Sequence, residues 1–140
     1  MTQAADAACP CGRLAVAAKG KAGKPLIYAA CCQPWHLGQP APTPEALMRS
    51  RYSAFVLGLP DYLRATWHPS TCPSELTLEP STVWLGLDVR MHRLLDQLHG
   101  EVEFVARSRV GGKGHRLHER SRFVREGGSW FYVDGDLYAA

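Results

Sequence analysis

Two closely spaced cysteine pairs near the start of the chain are the strongest chemical signal in the sequence. Cys9 and Cys11 lie in a Cys-Pro-Cys-Gly segment, and Cys31 and Cys32 follow after a separation of 19 residues. Four reduced thiols beside turn-forming glycine and proline favour a tetrahedral zinc site, which would stabilise a segment that has no core of its own. We therefore predict zinc as a cofactor, with these four cysteines as its ligands.

The sequence leaves two candidates for the fourth metal ligand. Adjacent cysteines can both reach one metal ion only if the backbone turns sharply between them, so either Cys32 or His36 could complete the coordination. The competing interpretation is that the cysteines are unliganded or oxidised in a mobile tail.

A change of composition near residue 40 divides the chain into two predicted domains, a Cys-rich segment over residues 1–40 and an α+β domain over residues 41–140. The segment contains a Lys/Gly/Ala stretch, Lys19–Pro25, that is typical of a loop. It also carries all of the net charge of +3, while the rest of the chain has 12 basic and 12 acidic residues. A neutral domain lacks the basic stripe that nucleic acid requires, so a nucleic-acid partner is not expected.

The second domain begins with helical patterns and continues with strand patterns. Thr43 as N-cap, proline at the first helical position and Gly58 as a stop signal predict a helix over Pro44–Leu57, and a shorter helix begins at Pro60. Alternating apolar residues predict four strands, at about 83–91, 101–110, 115–126 and 129–134. The first strand is expected to bury Val83, Leu85, Leu87, Val89 and Met91. This order of elements implies an α+β fold with two helices on a four-stranded antiparallel sheet.

Two glycine-rich turns set the predicted register of the last three strands. A tip at Gly111–Gly114 pairs Val110 with His115, and Gly127–Gly128 forms a two-residue hairpin turn. Because strand neighbours alternate between faces, both registers place the same residues on the face that we assign to the helices. That face is mostly apolar, but it also carries Glu119, Ser121 and Asp134.

These polar residues form a second candidate site with side chains of the helices. A carboxylate that faces an apolar core must be paired or protonated. In a functional pocket, His68 or Asp134 would be a general base and Arg51 an anion clamp. In a structural core, Arg51 and Glu119 would form a buried ion pair, which is the interpretation that we favour. The pocket candidates are Arg51, Tyr52, Trp67, His68, Glu119, Ser121 and Asp134.

Several segments together resemble a known family. The cysteine pairs resemble the SEC-C zinc-binding motif, although this motif normally has a shorter separation between its pairs. A loop insertion costs only about 0.6 kcal/mol per doubling of its length. The remaining segments resemble the YchJ-like family of bacterial proteins: Leu47–Phe55, Thr66–Ser70, Trp84–Leu87, Glu119–Phe123 and Trp130–Gly135. The resemblance implies the cone-shaped fold of nuclear transport factor 2-like (cystatin-like) proteins, which hold ligands in a cavity between helices and sheet.

Location and partners follow from the same observations. No apolar run approaches the roughly 18 residues of a membrane span, and the start of the chain lacks the pattern of a signal peptide, so we expect a cytoplasmic protein with no membrane partner. By analogy with other cone folds, a homodimer would form through the outer sheet face. The apolar residues expected there are Val105, Val124, Phe131 and Val133.

Two classes of function remain in contention. The leading hypothesis is an adaptor or small-ligand-binding protein, in which the zinc-binding segment contacts a protein partner and the cone-fold pocket takes a small molecule. The alternative is an enzyme, a hydrolase, isomerase or dehydratase, that acts on a small molecule in the pocket.

A substitution at Glu119 distinguishes a structural core from an open pocket. If Arg51 pairs with Glu119, the substitution Glu119→Gln should destabilise the fold by about 3 to 5 kcal/mol, because one buried charge is left uncompensated. If Glu119 lines an open pocket, the loss should stay within roughly 1 kcal/mol. Urea unfolding measures the difference, and the sequence favours the larger loss.

Overall fold

The described residues form a Cys-rich segment with one short helix of its own, two further helices and a four-stranded sheet. We describe it from a computed structural model that covers residues 4–16, 21 and 23–138. A 3-10 turn at Tyr28–Ala30 and helix α1 at Gln33–His36 precede α2 at Pro44–Leu57 and α3 at Pro60–Ala65. The strands are β1 at Val83–Leu94, β2 at His99–Val110, β3 at Lys113–Glu126 and β4 at Ser129–Leu137. They pair antiparallel in chain order, so the predicted α+β class is confirmed.

The predicted loop at Lys19–Pro25 falls partly outside the described residues. Within the described part of the chain, no helix has the length and apolar character needed to cross a bilayer.

Helix α2 has the predicted bounds, and local chemistry sets both ends. The Thr43 hydroxyl accepts a hydrogen bond of 3.0 Å from the Ala46 amide, which satisfies a donor that the first turn leaves unpaired. Gly58 ends the helix at φ +70°, a left-handed conformation that favours glycine. Ten of the 14 residues of α2 are buried, because the sheet packs on one side of the helix and the Cys-rich segment on another.

Both hairpin turns that join β2, β3 and β4 consist of two glycines with positive φ, as in type I′ turns. These φ values are +58° and +78° at Gly111 and Gly112, and +57° and +82° at Gly127 and Gly128. The first turn is therefore two residues shorter than predicted, and Val110 pairs with Lys113. A shift of two residues preserves the face of every side chain, so Glu119 and Ser121 still face the helices.

A bulge in β4 overturns one prediction. Phe123 pairs with Tyr132 as expected, but Arg122 then pairs with Asp134, so Val133 is the extra residue. The bulge moves Asp134 to the outer face, where its carboxylate accepts a 2.6 Å hydrogen bond from Arg122. The prediction that Asp134 faces the helices is therefore wrong.

A second irregularity, in β1 between Trp84 and Gly86, changes which residues are buried there. Trp84 faces inward and packs against Tyr52, whereas Val83 and Leu85 are 54% and 51% exposed. The predicted burial of Val83 and Leu85 is therefore wrong, while Leu87 and Val89 do pack against the core.

The chain after α3 protects the edge of the sheet. The amide of Tyr132 donates to the Thr66 carbonyl at 2.9 Å, and the amide of His68 donates to the Tyr132 carbonyl at 2.7 Å. This short parallel pairing satisfies backbone groups of β4 that would otherwise be open to another strand. It also places Trp67 beside the inner face of the sheet, in edge contact with the Tyr132 ring.

Charged side chains dominate the outer face of the sheet. Arg122 pairs with both Asp134 and Asp136, and these hydrogen bonds raise its pKa. Val105 is fully buried there. Val124, Phe131 and Val133 are only partly buried. Dimer formation through this face stays a prediction.

The start of α2 contacts β2 closely at Gly100. A Cβ atom at Gly100 would lie 2.5 Å from Cγ of Pro44 and 3.2 Å from the Arg93 carbonyl oxygen. We expect Gly100→Ala to lower the free energy of unfolding by about 1 to 3 kcal/mol through overpacking, measured by urea denaturation. Gly114→Ala is the matched control, because no atom lies within 4 Å of its Cβ position. Equal stability of the two variants would contradict this packing.

Candidate functional site

The four predicted metal ligands lie together in one buried cluster. The sulfur atoms of Cys9, Cys11, Cys31 and Cys32 are all within 4.8 Å of one another, and each residue is at most 7% exposed. Two of the sulfur–sulfur distances are 3.5 Å and 4.0 Å. A tetrahedral thiolate site with metal–sulfur bonds of about 2.3 Å has sulfur atoms about 3.8 Å apart, so this cluster can bind a metal ion.

Backbone pairing brings the two cysteine pairs together across the long separation. Two isolated antiparallel bridges join Ala8 to Ile27 and Leu14 to Pro25, and the Cys9 amide donates to the Leu26 carbonyl at 2.9 Å. The 3-10 turn then leads to Cys31, whose φ of −128° and ψ of −100° turn the chain sharply. This turn allows the adjacent Cys31 and Cys32 to point their sulfur atoms at the same centre.

His36 makes other contacts and lies outside the cluster. Its Nε2 atom is 2.8 Å from the Ser50 carbonyl oxygen, and its Nδ1 atom contacts the Tyr28 hydroxyl. A carbonyl can only accept, so Nε2 carries the proton and Nδ1 accepts from Tyr28. Burial lowers the pKa of His36, in agreement with a neutral ring. Because both ring nitrogens are engaged within the protein, Cys32 rather than His36 is the fourth cluster member.

Two residues of α2 support the cluster, and the sequence analysis did not identify them. The fully buried Ser53 hydroxyl lies 3.4 Å from the Cys32 sulfur and 3.6 Å from the Cys9 sulfur. Arg49 donates to the Cys11 carbonyl at 3.1 Å. The available signal was their four-residue spacing, which puts both residues on one face of α2.

The thiols of the cluster have strongly divergent acidities. Hydrogen bonds, the largest from Cys11, lower the pKa of Cys9, and a hydrogen bond with Cys31 lowers the pKa of Cys11 to about 7. Hydrogen bonds with Cys11 are the largest cause of the raised pKa values of Cys31 and Cys32. Like charges in one buried cluster cannot all form without a cation, so ionisation of all four thiols requires a bound metal ion.

A cavity of about 310 Å³ lies between part of α2 and the inner face of the sheet. It lies where the sequence analysis placed a pocket. Its wall is mostly aromatic and aliphatic, with a few polar groups, which is the usual character of a small-molecule site. The lining residues are Met48, Arg51, Tyr52, Phe55, Trp67, Trp84, Phe104, Ala106, Leu117, Glu119, Ser121, Phe123 and Tyr132.

Arg51 is the buried cation of this cavity. It is 6% exposed, and its Nη1 atom donates to the Leu63 carbonyl at 2.8 Å and to the Thr66 hydroxyl at 2.7 Å. The guanidinium carbon lies 5.1 Å from the centre of the Trp67 ring and 4.8 Å from that of Tyr132. Burial lowers the pKa of Arg51 to about 10, still far above neutral pH, so the side chain is charged.

The predicted ion pair between Arg51 and Glu119 is absent among the described residues. The Glu119 carboxylate instead accepts a 2.5 Å hydrogen bond from the Ser121 hydroxyl and a 3.1 Å hydrogen bond from the Tyr132 hydroxyl. Burial, followed by the charge of Glu119, raises the pKa of Tyr132, which keeps the hydroxyl protonated as a donor. Tyr132 therefore lies between the cation, which contacts its ring, and the carboxylate, which accepts from its hydroxyl.

Of the seven pocket candidates, the structure brings five together and separates two. Arg51, Tyr52, Trp67, Glu119 and Ser121 line the cavity. His68 does not, because its ring lies near the surface, with Nε2 at 2.9 Å from Glu126 and Nδ1 at 2.7 Å from the Ser70 hydroxyl. Asp134 lies on the outer face beside Arg122. The cavity therefore contains one carboxylate and neither of the two predicted bases.

Comparison with known proteins gives consistent matches over most of the chain. Residues 43–135 match the family model described as "YchJ, middle NTF2-like domain". A UPF0225 protein of Polaromonas naphthalenivorans (strain CJ2) is 60% identical over 132 residues, which cover 93% of this chain and 97% of the relative. A UPF0225 protein of Ralstonia nicotianae is 52% identical, with 96% of this chain and 94% of the relative covered.

Two solved structures are also similar. One is the crystal structure of a SEC-C motif containing protein from Psychrobacter arcticus, with a TM-score of 0.73 and 34% identity, covering 95% of this chain and 84% of that chain. The other is the solution structure of a SEC-C motif containing protein from Rhodopseudomonas palustris. It has a TM-score of 0.76 and 32% identity, covering 94% of this chain and 99% of that chain.

The contacts of Glu119 change the expected effect of its substitution. In Glu119→Gln the amide oxygen can still accept from Ser121 and Tyr132, but both hydrogen bonds lose their charge assistance. We expect urea denaturation to show a loss of about 1 to 2 kcal/mol, the difference between charged and neutral hydrogen bonds. The exposed Glu75 provides the matched control, Glu75→Gln. A loss above about 3 kcal/mol would contradict the observed arrangement and support an ion pair between Arg51 and Glu119 instead.

Proposed function

This chain belongs to the YchJ-like UPF0225 family, and from that premise we propose that it is a zinc-stabilised binding protein whose cavity takes a small, largely apolar molecule. The observation that carries the proposal is the cavity of about 310 Å³ beneath α2, with its mostly aromatic wall. A compartment that keeps the four cluster thiols reduced agrees with the cytoplasmic location that we propose.

The choice of zinc follows from the chemistry of the four ligands. Four buried thiolates at tetrahedral separations are typical of structural zinc sites, which have no position left for a substrate. The similarity to SEC-C motif proteins supports the same assignment. Cys9, Cys11, Cys31 and Cys32 would hold the ion, and the ion would fix the Cys-rich segment against α2. Its role in this proposal is structural.

The cavity suits binding better than the enzymatic alternative. A hydrolase, isomerase or dehydratase would need His68 or Asp134 as a general base, and both side chains lie outside the cavity. The remaining carboxylate, Glu119, already accepts two hydrogen bonds on one oxygen. We therefore assign the polar groups of the cavity to recognition.

The Cys-rich segment also offers a surface for the protein partner that the sequence analysis expected. Leu14, shortly after Cys11, and Leu37, shortly after Cys32, are 51% and 79% exposed. These side chains support the adaptor role as a second component of the proposal.

Metal content tests the first half of the proposal. We expect one zinc ion per chain in protein purified under reducing conditions, and loss of that ion in Cys11→Ser. Removal of zinc should expose residues 1–40 to protease, because metal binding supplies folding free energy of this segment. The matched control is Cys72→Ser, since Cys72 lies outside the cluster. Iron in place of zinc, or retention of zinc by Cys11→Ser, would contradict the assignment.

Ligand binding tests the second half. Benzyl alcohol is a probe of suitable size, and Trp67 and Trp84 in the wall report its binding through their fluorescence. We expect saturable binding with a Kd of about 1 mM or below, equivalent to about 4 kcal/mol. Ala106→Phe fills the cavity and should weaken binding at least tenfold, whereas the exposed Ala65→Phe should leave it unchanged. Equal binding by both variants would place the probe elsewhere and contradict the proposal.

A further inference from the structure

Arg51 carries more hydrogen-bonding capacity than the protein uses. A guanidinium has five N–H donors, and Nη1 of Arg51 makes its two hydrogen bonds to Leu63 and Thr66. Its Nε and Nη2 groups form no hydrogen bond with any of the described residues. Arg51 lines the cavity, so these three N–H groups remain available to a ligand.

The charge of Arg51 also lacks a direct counterion. No carboxylate of the described residues lies within the 4.0 Å limit of an ion pair with its guanidinium. Two aromatic rings contact the cation, but buried charges are usually paired, because a charge removed from water otherwise loses its solvation. An anionic group in the cavity would satisfy both the charge and the remaining donors.

Glu119 limits how much negative charge the cavity accepts. Its carboxylate belongs to the same wall as Arg51 and is held in place by Ser121 and Tyr132. Gly135 packs against it so closely that a Cβ atom there would lie 2.4 Å from the carboxylate oxygen Oε2. Arg51 can neutralise one negative charge, and the fixed Glu119 carboxylate repels any further one, so the cavity tolerates a monoanion better than a dianion such as a phosphate monoester.

We infer that the cavity binds a small apolar monocarboxylate, whose carboxylate is held by Arg51 and whose apolar part contacts the aromatic wall. This inference rests on the proposed cavity-binding function. At about 30 Å³ for each water-sized group, the volume suits a molecule of roughly ten non-hydrogen atoms. A planar carboxylate also matches the forked geometry of a guanidinium.

Three probes with the same ring test the inference: benzoate, benzyl alcohol and phenyl phosphate. Titrated against tryptophan fluorescence, the wild-type protein should bind benzoate at least tenfold more tightly than benzyl alcohol or phenyl phosphate. Benzyl alcohol bound as tightly as benzoate would overturn the monocarboxylate inference and leave the cavity-binding function intact. Failure of all three probes to bind would overturn both.

Variants of Arg51 and Glu119 test whether the preference for benzoate arises in the cavity. Arg51→Gln should reduce the preference for benzoate over benzyl alcohol to less than threefold, whereas Arg64→Gln, on the exposed side of α3, should retain it. Glu119→Gln should tighten phenyl phosphate at least tenfold relative to benzyl alcohol. If Arg51→Gln does not fold, the Glu119→Gln result decides alone. An unchanged preference in a folded Arg51→Gln, or an unchanged phosphate affinity in Glu119→Gln, would overturn the inference.

Discussion

Helix α2 lies between the Cys-rich segment and the sheet, so its side chains pack into two different buried regions. Ser53 contacts the sulfur atoms of the cluster, while its chain neighbour Tyr52 lines the cavity. Small residues make this double packing feasible: Ser50, Ser53 and Ala54 are all fully buried. A serine hydroxyl can be buried at low cost only with partners, and Ser50 has two, the Leu47 carbonyl and the Tyr62 hydroxyl. Both candidate sites therefore depend on the placement of this one helix.

The burial of Arg51 follows from that placement. The Arg51 side chain points at the junction of α3, residues 66–68 and β4, where it contacts two oxygen acceptors and two aromatic rings. These contacts stabilise the cation without a carboxylate and hold its guanidinium in a fixed orientation. Glu119 is fixed separately by Ser121 and Tyr132. Opposite charges that are held apart by their own hydrogen bonds remain available to a third molecule, which a closed ion pair would not be.

The predictable features of this fold were those with local causes. The bounds of α2 follow from Thr43 and Gly58, and the face of each β3 residue follows from alternation, which a register error of two residues does not disturb. The β4 bulge at Val133 has no comparable local signal, and this single extra residue moved Asp134 to the other face. A sequence pattern that counts one buried stripe could not show that α2 is buried on a second side. For this reason Ser53 was not recognised as a neighbour of the cysteines.

The alternative at His36 and the error at Glu119 both concern contacts between distant residues. His36 lies close to the cysteines in sequence, yet Tyr28 and the Ser50 carbonyl occupy both of its ring nitrogens. The choice between an ion pair and an open arrangement at Glu119 depended on Tyr132, whose hydroxyl reaches the carboxylate only because of the β3–β4 register. Spacing can assemble a list of candidate residues, but the partner of each polar atom is decided by the packing of whole elements.

The contacts of the Cys-rich segment with α2 also set the conditions under which it stays attached. Glu45 on α2 forms ion pairs of 3.0 Å with Arg13 of the segment and with Arg49. Burial opposes ionisation of Glu45, but the Arg49 hydrogen bond and the Arg13 charge outweigh it and lower the pKa. A carboxylate with a lowered folded-state pKa stabilises the fold above its unfolded pKa and loses that contribution as the pH falls. Metal binding by thiols also weakens in acid, because the ligands must be deprotonated. With zinc on the four cysteines, as proposed, both attachments of the segment would weaken in the same direction of pH, although one is an ion pair with an arginine and the other a metal–thiolate cluster.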